Sequence, residues 1–144
     1  MSVETEVTGV VSSYIAAMHE WETEAERTAG GSVMERVERM EQMLATGELE
    51  ASEAARQRIL AEHCTPRKRI SRGCWGTTPQ HHPGLELITK IQQISDSKAH
   101  VWTDYADRQG FQTRRRYELE FCEGTWLIDQ HFILREAEEF PEIY

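Results

Sequence analysis

An α+β fold, with three N-terminal helices packed on a curved antiparallel sheet, is what this sequence predicts, and three observations predict it. Apolar side chains recur at spacings of three and four through residues 3–63, the period of a helix with one buried face. From residue 85 onward they alternate with polar ones instead, the period of a half-buried strand. The alternating segments are separated by "SDS", "DRQG" and "EG", turn signals short enough to force neighbours to pair antiparallel. A sheet with one apolar face must have that face covered, and the helices are what can cover it. With 144 residues, the chain reads as a single domain, 1–144.

The first helix is expected over 3–28, with Val3, Val7, Val10, Val11, Tyr14, Met18, Trp21 and Ala25 on one face. Gly9 weakens its first turns, and "AGGS" breaks it. Ser32 and Glu35 have the spacing of a capping box, so a second helix starts there. Its Val33, Val37, Met40 and Leu44 are expected to point inward, and Gly47 to stop it. A third helix over about 52–63 should bury Ala55, Ile59 and Leu60.

Composition changes at Cys64. The segment "CTPRKRISRGCWGTTPQHHPG" holds three prolines and three glycines. Part of it ("RKRIS") reads as strand and most as irregular connection. So long a connection is expected to be pinned to the sheet and to form a rim.

Four strands follow, at 85–94, 98–106, 111–122 and 125–135. On the second, Ala99, Val101, Thr103 and Tyr105 should face the helices, which puts His100, Trp102 and Asp104 outside. On the third, Phe111, Thr113, Tyr117, Leu119 and Phe121 face inward with Arg115 among them. An inward Arg115 must find a carboxylate or a bound anion, because a lone buried charge is expensive. Arg114 and Arg116 should pair with acidic neighbours across strands. On the fourth, strict alternation puts Trp126, Ile128, Phe132 and Leu134 inside, and Asp129 and His131 on the wet face.

The formal net charge is −9. Residues 1–62 carry −8, residues 63–83 carry +4 and residues 84–144 carry −5. Such a chain repels phosphate backbones, which argues against nucleic acid, and attracts a basic partner. No apolar run reaches the length of a membrane span, and "MSVETEVTG" lacks the basic and apolar regions of a secretory signal. Three cysteines (Cys64, Cys74 and Cys122) then read as reduced thiols in a cytoplasmic protein.

The turn between the third and fourth strands and the start of the fourth read Gly124-Thr125-Trp126-Leu127-Ile128-Asp129. Helices first, then an antiparallel meander closing on this G-x-W-x-I-D strand, resembles the cone of the NTF2-like superfamily. More narrowly, "HCTPRKR", "KAHVWTDY" and "RRRYELEFCEGTWLID" resemble the NTF2-fold immunity proteins of bacterial polymorphic toxin systems. That resemblance covers about residues 5 to 135. It implies a small cytoplasmic protein, without cofactor or catalytic residue, that binds a cognate toxin domain and blocks its active site. A homodimer is a further possibility, since NTF2-like sheets commonly pair.

For such a binder the candidate partner-binding residues fall in two groups. His100, Trp102, Asp104, Asp129 and His131 project from the wet face. Glu138, Glu139, Glu142 and Tyr144 lie in the acidic, aromatic tail "REAEEFPEIY", which suits a basic surface or folds back on its own sheet. The superfamily also contains enzymes of the polyketide cyclase and ketosteroid isomerase type, which place an Asp, His or Tyr in the cone for acid–base work. Here Tyr14, His19, His81, His100, Asp104, Tyr105 and Tyr117 are the candidates for that alternative. His63, Cys64, Cys74, His81 and His82 could supply metal donors, but their spacing matches no standard zinc pair.

Overall fold

A computed structural model of the chain describes residues 2–69, 81–106, 112–135 and 138–141. The fold is α+β: N-terminal helices packed on an open, all-antiparallel sheet. The helices are α1 (Val3–Ala29), α2 (Val33–Thr46), α3 (Glu48–His63) and the single turn α4 (Pro66–Arg69). The strands are β1 (Glu86–Ser95), β2 (Lys98–Ala106), β3 (Gln112–Cys122), β4 (Thr125–Arg135) and β5 (Glu138–Pro141), paired in that order as a meander. The short β5 is a fifth strand, formed where the tail turns back along β4.

Local chemistry explains the helix ends. Ser2 and Ser32 cap α1 and α2, their hydroxyls accepting the backbone N–H of Thr5 and Glu35. Gly47 adopts φ 84°, the left-handed geometry that closes α2 and lets α3 begin at the next residue. The third helix thus starts four residues before the predicted Ser52. "RKRIS" was expected as strand, but Arg67–Arg69 lie in α4, where Pro66 occupies the first helical position that proline favours. Before α4, Cys64 forms a parallel bridge to Ile128, and the Thr65 N–H donates to the Ile128 carbonyl at 2.9 Å. The connection is therefore tied to the sheet where it leaves α3.

The core lies between α1, α3 and the inner face of β2–β4. Val7, Val11, Tyr14, Ile15 and Met18 of α1 meet Leu60 and Cys64, Ala99 and Val101, Tyr117 and Leu119, and Trp126 and Ile128. These are the inner faces that alternation assigns to β2 and β3. Trp126 and Ile128 turn inward too, Trp126 being 3% exposed. Glu123 and Gly124 take φ 49° and 84° in the two-residue turn before them. A two-residue turn with both φ values positive follows the right-handed strand twist, and glycine bears that geometry at least cost.

Two further expectations fail, each for a physical reason. The first concerns β4. Leu119 pairs with Ile128 but Glu118 pairs with Gln130, so Asp129 is an extra residue, a β-bulge. One extra residue inverts every side chain beyond it. His131 therefore points inward and is 1% exposed, while Phe132 lies over Arg116 on the outer face. His131 accordingly leaves the set of outer-face residues.

The second failure concerns α2. Val33, Val37, Met40 and Leu44 point to solvent, and Met43 is the buried residue of this helix. A helical period marks an apolar face without saying what covers it.

Among the described residues no helix is long and apolar enough to cross a membrane.

Candidate functional site

Two constellations stand out, one on the outer face of the sheet and one inside. The outer one is a row that crosses four strands. Lys90 of β1 pairs with Trp102 of β2, Trp102 with Arg116 of β3, and Arg116 with Phe132 of β4. Cation and aromatic alternate along it. The Lys90 ammonium sits 4.7 Å from the Trp102 ring centre, and the Arg116 guanidinium 5.1 Å from that of Phe132. Each contact is worth about 0.5–1 kcal/mol at a partly exposed site. Trp102 also takes the edge of the His100 ring, with centroids 5.6 Å apart.

A carboxylate holds Arg116 in place. Glu118 accepts from Arg116 Nη2 at 2.8 Å and lies 3.6 Å from His100 Nε2. Arg114 Nε donates to Asp104 across the β2–β3 ladder at 3.0 Å, the cross-strand pairing expected for it. Arg116 differs from the expectation: its partner is two residues along its own strand. His100, Trp102 and Asp104 all project from this face, half-buried by their neighbours.

Asp129 does a different job. Its bulged carboxylate accepts from the Thr65 hydroxyl at 2.9 Å and from the Arg67 guanidinium, which holds α4 onto the sheet. Next to it, Cys122 lines a shallow recess with Lys98 and Glu120. Burial pushes the Cys122 thiol up, and the charges of Glu120, Asp129 and Glu123 push it further, so it is a poor nucleophile near neutral pH. In the tail, the backbone of Glu138 and Glu139 belongs to β5, whereas Glu142 and Tyr144 lie outside the described residues.

The inner constellation is polar. The Glu86 carboxylate, at the start of β1, is buried. Its Oε1 accepts from Arg115 Nη1 at 2.9 Å; its Oε2 accepts from Thr103 Oγ1 at 2.6 Å and from the Tyr117 hydroxyl at 2.7 Å. This is the carboxylate that an inward Arg115 requires. The Tyr105 ring lies 5.5 Å from the same guanidinium.

Farther along α1, Glu22 Oε1 accepts from both the backbone N–H (3.1 Å) and Nδ1 (2.9 Å) of His81. His81 is fully buried, and its Nε2 has no hydrogen-bond partner among the described residues. The His131 ring stacks near it at 6.1 Å, and the Tyr14 ring meets it edge-on at 5.5 Å. His19 Nδ1 donates to the His81 carbonyl at 2.7 Å.

Of the candidate metal donors, His63 bonds the Ser13 hydroxyl and the Ile59 carbonyl, and His81 bonds Glu22; Cys74 lies outside the described residues. Neither Glu86 nor Glu22 was singled out from sequence. Their partners stand 29 and 59 positions away, so no local motif marks them. The chain matches no family model, no curated protein and no solved structure with significance.

Proposed function

We propose that this chain is an immunity-type binding protein of the NTF2 fold, which neutralises a cognate bacterial toxin domain by occluding its active site. The observation that carries this reading is the outer row Lys90–Trp102–Arg116–Phe132. Tryptophan and arginine are the residue types that most often anchor protein interfaces, and ordered neighbours reduce the entropy lost on docking. Here the anchors are ordered before any partner arrives, on strands rather than loops. The net charge of −9 adds attraction toward a basic toxin cleft, which raises the association rate more than the affinity.

The test uses the toxin domain encoded beside this chain, with binding followed by calorimetry and toxin activity followed in parallel. Trp102→Ala is expected to weaken binding by at least about 30-fold, the ~2 kcal/mol of an anchor residue, while leaving the fold intact. A toxin that stays fully active in the presence of the wild-type chain would overturn the reading.

A second reading rests on His81. A carboxylate fixing one imidazole nitrogen, with the other unengaged beside a tyrosine, is the arrangement of an acid–base pair. It favours a small-molecule enzyme or ligand binder of the cyclase or isomerase type. Naphthol, a planar phenol, is a suitable probe. Under this reading it raises the melting temperature of the wild type and not that of His81→Gln. An equal response of the two proteins, or none in either, excludes it.

A further inference from the structure

The helix α2 is amphipathic, yet it is mounted with its apolar side outward. Val33 is 78% exposed, Leu44 69%, and Val37 and Met40 are exposed beside them. Its contact with the rest of the protein runs through Met43, with Arg39 reaching Glu48 of α3 at 3.2 Å. A contiguous apolar stripe on a polar helix marks an interaction surface.

The spacing admits a second copy of the same helix as the occupant. Residues 33, 37, 40 and 44 are separated by four, three and four, the seam of a two-stranded coiled coil, with Val37 and Leu44 at a and Val33 and Met40 at d. In that frame Arg36 takes a g position and Glu41 an e position. When two such helices pair in parallel, g of one lies beside the e of the other five residues on. Arg36 of each copy then meets Glu41 of its partner, twice by symmetry. An antiparallel pairing would set Arg36 against Met43 and offers no such bridge. Both charge signs border the stripe, Arg36 on one flank and Glu41 on the other. That makes the surface complementary to itself, whereas a face reserved for a basic partner would be bordered by acids alone.

We infer that α2 is the interface of a parallel, two-fold symmetric dimer of this chain. The inference stands apart from the toxin-binding reading, which uses the opposite layer of the fold.

The size of the seam sets the strength. A Val, Leu or Met side chain removes roughly 60–120 Å² of apolar surface from water when fully buried, following from ~1.5–3 kcal/mol at ~25 cal/mol/Å². Five of them, counting Met34 at the edge, give roughly 400 Å² per copy, about half of a standard half-interface. The helix is already formed on α1 and α3, so pairing carries no nucleation penalty. The expected association is weak, with Kd on the order of 10 µM.

Sedimentation velocity on the full chain, from about 1 to about 500 µM, reads this directly, since the range brackets the expected Kd. The weight-average mass should climb toward twice the chain mass. Val37→Glu and Leu44→Glu should each raise Kd more than about 100-fold, each placing an unpaired charge in the seam. Both side chains are exposed, so circular dichroism and the melting temperature should stay as in the wild type. Arg36→Glu alone should weaken the dimer about tenfold, and adding Glu41→Arg to the same chain should restore it, which parallel pairing alone predicts. A chain that is monomeric across the range overturns the inference, as does a dimer that survives both seam charges or a double reversal that fails to rescue. If the monomeric chain instead loses toxin binding on Val37→Glu, the stripe belongs to the toxin.

Discussion

Glu86→Ala is expected to cost the fold about 3–5 kcal/mol, the penalty of removing one member of a buried ion pair. In urea, where domains of this size lose roughly 1–3 kcal/mol per molar, the midpoint should fall by about 2 M. The reason lies in how completely the carboxylate is used. Its two oxygens take a guanidinium and two hydroxyls, each within 2.9 Å, and all four side chains are buried. Without it, Arg115 keeps its charge inside the fold but loses this carboxylate, and the Thr103 and Tyr117 hydroxyls lose the bonds they give it.

The reciprocal change should be milder. In Arg115→Met the carboxylate retains both hydroxyl donors, and a stranded carboxyl group can neutralise itself by taking up a proton, which a guanidinium cannot match. The double variant Glu86→Leu with Arg115→Met should recover more than half of the Glu86→Ala loss, because replacing a whole buried pair with apolar groups is often close to neutral. Equilibrium unfolding of the three variants separates these cases. A Glu86→Ala chain within about 1 kcal/mol of the wild type would mean that the carboxylate is not the partner holding Arg115.

Arg115 also shows which parts of the site are legible in the sequence. Strand alternation alone puts it on the inner face, and the cost of a lone buried charge alone demands a carboxylate there. What sequence could not supply was the identity of that carboxylate. Glu86 opens a strand whose other polar residues are solvated, and nothing nearby sets it apart. The same holds for Glu22, which sits on α1 among Glu20, Glu24 and Glu26 and differs from them only in being the one aimed at His81.

The outer row was half legible for a related reason. Trp102 and Arg116 follow from unbroken alternation in β2 and β3. Phe132 does not, because the bulge at Asp129 resets the phase of β4, and a bulge adds one residue without any turn or glycine to announce it. The cue was in the side chains. Strict alternation buries Phe132 and exposes His131, but a carboxylate at position 129 with Thr65 and Arg67 in reach holds the extra residue out. In α2 the helical period marks a true apolar stripe, but the period carries no information on whether that stripe belongs to the protein's own core.

Trp126→Ala carries the second large expected effect, a loss of about 3–5 kcal/mol. The indole is 3% exposed and belongs to the buried core cluster that includes Leu119, Ile128, Leu60 and Cys64, its ring centre 5.3 Å from that of Phe121. Phe121 stands directly opposite it in the β3–β4 ladder but is 40% exposed, so Phe121→Ala should cost under about 1.5 kcal/mol although the two rings touch. The contrast is the useful measurement, since both substitutions delete a large aromatic from one end of the same hairpin. Equal losses by urea unfolding would show that the hairpin end, and not its inward residue, carries the packing. A loss confined to Trp126 shows that the interior between helices and sheet is plugged at this end by an indole. In that case the side chains free to meet another molecule here are those on the outer faces, where the cation–aromatic row lies.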